Sequence, residues 1–145
     1  MNSNDRKLLK EELGLMEDAI TMLRHSYDKC CNIELRNDLG MDEQESFEAL
    51  CSRFARASDI FIQKLLRLVD KVDLEQPGTI RDRINRAEKK GIIDHADQLV
   101  DIRNLRNDIA HEYLPDAMRD IWKTVLIYTP VLIAAFDNLK AYIKQ

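Results

Sequence analysis

In four long stretches of this chain, apolar residues return every three or four positions, and that step leaves few folds open. A helix advances about 100° per residue, so such spacing gathers apolar side chains on one face. Leu8, Leu9, Leu13, Met16, Ile20, Leu23 and Tyr27 form the first stripe. They predict a helix from residue 5 to about residue 35, with Asp5 as its N-cap. Asn37-Asp38-Leu39-Gly40 reads as a turn. A second helix is expected from about Asp42 to Val72, its stripe running from Phe47 through Phe54 and Phe61 to Val69. Pro77-Gly78 marks a loop, and a short helix then runs from Pro77 or Thr79 to Lys90, with Gly91 as its C-cap. A fourth segment extends from Asp94, its expected N-cap, to Tyr113 or Leu114, because Pro115 disfavours helical geometry at the residue before it. The last helix covers about Asp116 to Lys144, with a kink expected at Pro130.

Four Gly and three Pro in 145 residues leave little material for hairpins. The expected fold is therefore all-α: an antiparallel bundle of four long helices plus one short helix, forming a single domain over residues 1–145. From Ile121 to Phe136 the last helix is apolar almost all round, which predicts burial on more than one side and a share in a dimer interface. Interrupted by Lys123, Thr124 and Thr129, that run reads as too short and too polar for a membrane span.

Charge narrows the functional classes. A net charge of −4 argues against a protein that coats nucleic acid generally, though it leaves room for a local basic site. The most basic segment is Thr79–Lys90, where Arg81, Arg83, Arg86, Lys89 and Lys90 face only Asp82 and Glu88. There Arg81, Arg83 and Arg86 are candidates to hold RNA phosphates beside a cleft, against the plainer reading of a solvated amphipathic helix. The acidic run Asp38, Asp42, Glu43, Glu45 and Glu48 reads as a solvated helix start or a patch for a basic partner. Cys30, Cys31 and Cys51 lack metal-type spacing and read as reduced thiols. With no basic-then-apolar leader in Met1–Asp5, a cytoplasmic location is expected.

The chemistry-bearing stretch is Arg103 to Tyr113. Leu99, Ile102, Leu105, Ile109 and Tyr113 fall on one apolar stripe, while Arg103, Asn107, Ala110 and His111 fall on the neighbouring face. Arg106 lies at the seam, where it must be solvated, paired or bound to an anion. Asp101 and Asp108 are its nearest partners in sequence. A histidine exchanges protons near neutral pH, and the forked donors of an arginine suit a phosphodiester in its transition state. Together with the Tyr113 hydroxyl they form a set able to cleave RNA without metal, using the 2′-hydroxyl as nucleophile. Arg106 and His111 are five residues apart, so on a straight helix they diverge by about 140°. One phosphate then requires a distorted helix end or a site shared across a two-fold dimer.

Arg106-Asn107-x3-His111-x-Tyr113 resembles the Arg-x4-His motif of HEPN domains, in the form found in HepT-like toxins of HEPN–nucleotidyltransferase toxin–antitoxin pairs. The likeness extends over Leu74–Tyr113, including Gly91-Ile92-Ile93-Asp94, and more loosely over the C-terminal two-thirds of the chain. The resemblance implies a metal-independent endoribonuclease, without cofactor, acting as a homodimer and leaving 2′,3′-cyclic phosphate and 5′-hydroxyl ends. It implies His111 as general acid/base, Arg106 as charge stabiliser, Asn107 as an orienting group, and Arg103 and Tyr113 as RNA contacts. It also implies a nucleotidyltransferase-type antitoxin, with Tyr113 as a candidate for adenylylation. The rival readings are a non-catalytic nucleotide- or substrate-binding subunit of such an enzyme, and a structural dimerisation domain.

Overall fold

The computed structural model describes residues 3–144; Met1, Asn2 and Gln145 lie outside the described residues. The described chain is helical with no strand among the described residues. It comprises α1 (Ser3–Cys31), α2 (Met41–Asp59), a π-helical turn (Ile60–Leu65), α3 (Leu66–Val72), α4 (Ile80–Lys89), α5 (Ala96–His111) and α6 (Pro115–Ile143). The expected all-α bundle with four long helical rods and one short helix is the observed one.

Boundaries follow local hydrogen bonding. Asp5 lies inside the first turn of α1 rather than capping it. The helix stops at Cys31, four residues short of expectation, where the Asn32 side chain donates to the Asp28 carbonyl at 3.1 Å. At the start of α2 the Gly40 N–H donates to Glu43 Oε1 at 3.2 Å. The predicted second helix is one rod of α2 and α3 joined by the π turn, in which Leu66 N–H reaches back five residues to the Phe61 carbonyl. A π turn inserts one extra residue and re-phases the faces on either side of it. Thr79 caps α4 reciprocally: Asp82 N–H donates to Thr79 Oγ1 at 3.2 Å, and Thr79 N–H donates to Asp82 Oδ2 at 2.8 Å. That bond holds the Asp82 carboxyl below the ordinary carboxylate range. Gly91 ends the helix with φ 75°, and Ile92 N–H closes the cap on the Ala87 carbonyl at 2.9 Å.

Phe47, Phe54, Phe61 and Phe136, with Met16, Leu23, Leu50, Leu65, Ile84, Leu99 and Ile102, fill the core. Trp122 stacks on Phe47 with ring centroids 5.0 Å apart. α6 runs continuously through Pro130, but it is not buried on all sides. Ile121, Trp122, Val125, Thr129, Leu132, Ala135, Phe136 and Leu139 face the core, while Ile127 is 65% exposed and Pro130 and Ala134 are also exposed. Among the described residues no other element covers that outer face, so within one chain α6 is buried on one side. By length and composition α6 is also long and apolar enough to cross a membrane, a stretch the run ending at Phe136 undercounted; 33% of its apolar window is buried inside the bundle.

The three thiols divide by packing. Burial pushes the Cys30 thiol up to about 11 and the Cys51 thiol up to about 12, whereas Cys31 is exposed. Only a thiolate reacts quickly. Native protein should therefore give one fast thiol with an aromatic disulfide reagent and all three only after denaturation. Rapid native labelling at Cys51 would contradict this packing.

Candidate functional site

The motif occupies the C-terminal end of α5. That helix starts at Ala96 with His95, not Asp94, at the cap position, where His95 N–H donates to Gln98 Oε1 at 3.3 Å. The helix remains regular through His111, its last residue. Glu112 then turns the chain out: its carboxylate accepts from both Tyr113 N–H and Leu114 N–H at 3.0 Å. Pro115 occupies the first position of α6 and fixes the direction of departure. Tyr113 therefore leaves the apolar stripe to which its spacing assigned it and stands 84% exposed. Leu99, Ile102 and Leu105 remain buried, with Ile109 half-buried.

Arg103, Asn107 and His111 are all exposed, as the polar-face reading requires. The side chains of Asn107, His111 and Tyr113 make no hydrogen bond or ion pair among the described residues. Arg106 is different. Its Nε donates to Asp59 Oδ1 at 2.8 Å and its Nη2 donates to Asp59 Oδ2 at 3.0 Å. The partner is neither Asp101 nor Asp108 but the residue that ends α2, immediately before the π turn. Donating hydrogen bonds to the Asp59 carboxylate raises the pKa of the guanidinium, which stays charged. A guanidinium carries five N–H donors, so the fork to Asp59 leaves three for an anion. Asp59 thus fixes the plane of Arg106 without consuming it.

In front of Arg106 lies a groove of about 340 Å³ between α2 and α5, bordered by Glu48, Ser52, Ile109 and Met118. A second cavity of about 390 Å³ shares the Glu48 and Met118 walls and includes Tyr113 and Trp122. Within one chain, Arg106 and His111 diverge by about 140° around the axis and about 7.5 Å along it. The regular helix up to His111 removes a distorted helix end as the way to bring them together.

The basic helix α4 does not join this group. Arg86 is held by Asp70 at 3.1 Å and Glu75 at 3.3 Å, and Arg81 pairs with Asp97 at 3.7 Å. Asp97 opens α5, roughly 15–20 Å along the helix from the motif. Within one chain Arg81 therefore lies by the start of α5, away from its motif end, and Arg86 is taken up by Asp70 and Glu75. Sequence reading missed Asp59 and Trp122. The available signal for Asp59 was a carboxylate beside a core stripe, the mirror of Arg106 beside its own. Among the described residues, no group of three or more His, Cys, Asp or Glu side chains is placed to hold a metal ion. Comparison with protein-family models, with curated proteins and with solved structures gives no match.

Proposed function

We propose that the chain is a HEPN-type, metal-independent endoribonuclease and the toxin of a toxin–antitoxin pair. The observation that carries this reading is the exposed motif end of α5, where Arg106 is oriented by Asp59 with donors to spare and His111 and Tyr113 are open to a substrate. In the proposed step the RNA 2′-oxygen attacks phosphorus and the bond to the 5′-oxygen breaks. The 2′-proton goes to a base and the leaving oxygen receives a proton, both exchanges suiting an imidazole. Arg106 stabilises the added phosphorane charge, and Asn107 orients the phosphate or the ring. Because one α5 separates Arg106 from His111, the working unit is a two-fold dimer in which each cleft takes these groups from two chains. The exposed Tyr113 hydroxyl suits modification by a nucleotidyltransferase-type partner, and an anionic adduct there would close the cleft by charge and bulk.

The test is incubation of purified protein with mixed RNA in excess EDTA, with end-group analysis. Cleavage leaving 2′,3′-cyclic phosphates supports the reading; folded, partner-free protein that leaves RNA intact moves it to a non-catalytic nucleotide-binding subunit. Asp59→Asn keeps the side-chain volume but weakens the fork on Arg106. It should lower kcat about tenfold or more, since small misplacements at a reacting centre are costly, with little change in KM. Equal loss with Asp59→Asn and with an exposed carboxylate control such as Asp18→Asn would remove the positioning role.

A further inference from the structure

The Trp122 indole is 6% exposed and stacked on Phe47, and its Nε1–H is buried without a hydrogen-bond acceptor among the described residues. Buried N–H groups are nearly always partnered, because leaving one bare forfeits its hydration. Trp122 lines the 390 Å³ cavity beside Tyr113, a volume within the ~300–1,000 Å³ range of small-ligand pockets. The other walls complement that donor. Gln44 gives its amide N–H to the Leu39 carbonyl at 2.9 Å, which leaves its side-chain oxygen as an acceptor. Glu48 adds a carboxylate, Tyr113 an exposed aromatic face, and Met118 a flexible apolar wall. At the rim, Arg119 spans Asn37 and Asp116, and Arg36 pairs with Asp38 and Glu43; each guanidinium keeps N–H groups for an anion.

We propose that this cavity is a nucleotide subsite that takes one base of the RNA strand beside the cleaved phosphate. An aromatic face, an indole donor and carbonyl and carboxylate acceptors match the π-surface and mixed edge of a nucleobase. The two arginines match its phosphate. Glu48 and Met118 border both this cavity and the groove in front of Arg106, so a strand whose phosphate meets Arg106 has this cavity as a neighbouring place for a base. The indole N–H is closed to solvent. A base reaches that N–H only when the side chains around it move aside. The assignment of the occupant as RNA rests on the ribonuclease reading; the nucleotide chemistry of the cavity does not.

Trp122 is the chain's single tryptophan, so its fluorescence reports on this cavity alone. Titrating the wild-type protein with AMP, GMP, CMP and UMP, with ribose 5-phosphate as control, should give saturable quenching by at least one nucleotide. The control should bind at least tenfold more weakly. Calorimetry should show the preferred nucleotide bound at least tenfold more weakly by Trp122→Phe, which keeps the stacked ring and deletes the N–H. Should that variant fold poorly, Tyr113→Ala carries the test, since its side chain is exposed, with an expected fivefold or greater loss. Asp18→Asn, an exposed carboxylate outside the cavity, should bind as wild type. Equal binding of ribose 5-phosphate, or a response only to a protein partner and to no nucleotide, overturns the proposal. Cleavage without any quenching removes the subsite and leaves the ribonuclease standing. Quenching without cleavage does the reverse.

Discussion

Replacing His111 with Ala is expected to lower RNA cleavage by at least about 100-fold, the low end of what a positioned general acid/base contributes. Arg106→Ala should cost a comparable factor through lost charge stabilisation. The two variants should differ in the folded state. His111 is exposed and engages no other side chain, so its removal should leave the melting temperature unchanged. Arg106→Ala leaves Asp59 without its fork, but the side chains are 31% and 37% exposed, so the loss should stay within about 1 kcal/mol. Mixing the two variants gives the sharper result. If each cleft takes Arg106 from one chain and His111 from the other, a mixed dimer rebuilds one intact cleft. Activity should then return, on the order of a quarter of wild type after random reassortment of subunits. No return, with subunit exchange shown by a tagged pair, would place both groups in one chain and sink the shared cleft.

How far the sequence spoke for this arrangement depends on the range of the interaction concerned. Three- and four-residue spacing made the helical rods legible, because side-chain direction in a helix is a local property. Gly91 and Thr79 likewise announced the ends of α4, since caps involve residues three or four apart. The π turn was not legible: Phe61, Ile62 and Leu65 keep a helical step whether or not one residue is inserted. Tyr113 was misplaced because periodicity says nothing of where a helix stops, and the Glu112 carboxylate stops this one two residues earlier. Arg106 was rightly marked as a charge needing a partner. That partner, Asp59, lies 47 residues away and is brought in by the packing of α2 on α5. The unpartnered indole of Trp122 was beyond reach for the same reason.

The basic helix α4 is the case where long-range pairing reverses the meaning of a local signal, and it sets the second large expectation. Asp70, 8% exposed on α3, accepts from Arg86 at 3.1 Å and from Lys90 at 2.9 Å. Lys90 also meets Asp73 at 2.8 Å, and Asp73 accepts from the Tyr142 hydroxyl of α6 at 2.5 Å. Charges that looked available to RNA therefore tie three helices together. Asp70→Ala leaves two cations facing a site with one fewer carboxylate, and removing one partner of a buried pair typically costs several kcal/mol. With Asp73 and Glu75 still present, about 2–4 kcal/mol is expected here, or a fall in melting temperature of roughly 6–12 °C. Asp70→Asn keeps an acceptor and should lose about half as much. The pH dependence has a definite sign. Burial alone would lower the Lys90 pKa; hydrogen bonds to Asp73 and Asp70 outweigh it and leave it above the ordinary value of 10.5. A raised ammonium pKa stabilises the fold fully below 10.5, and that share is lost as pH rises through the higher folded value. Calorimetry at neutral pH and again above the ordinary lysine range should show the wild type losing stability while Asp70→Ala loses less. A variant that melts with the wild type at neutral pH would return Arg86 and Lys90 to the pool of groups free to bind phosphate.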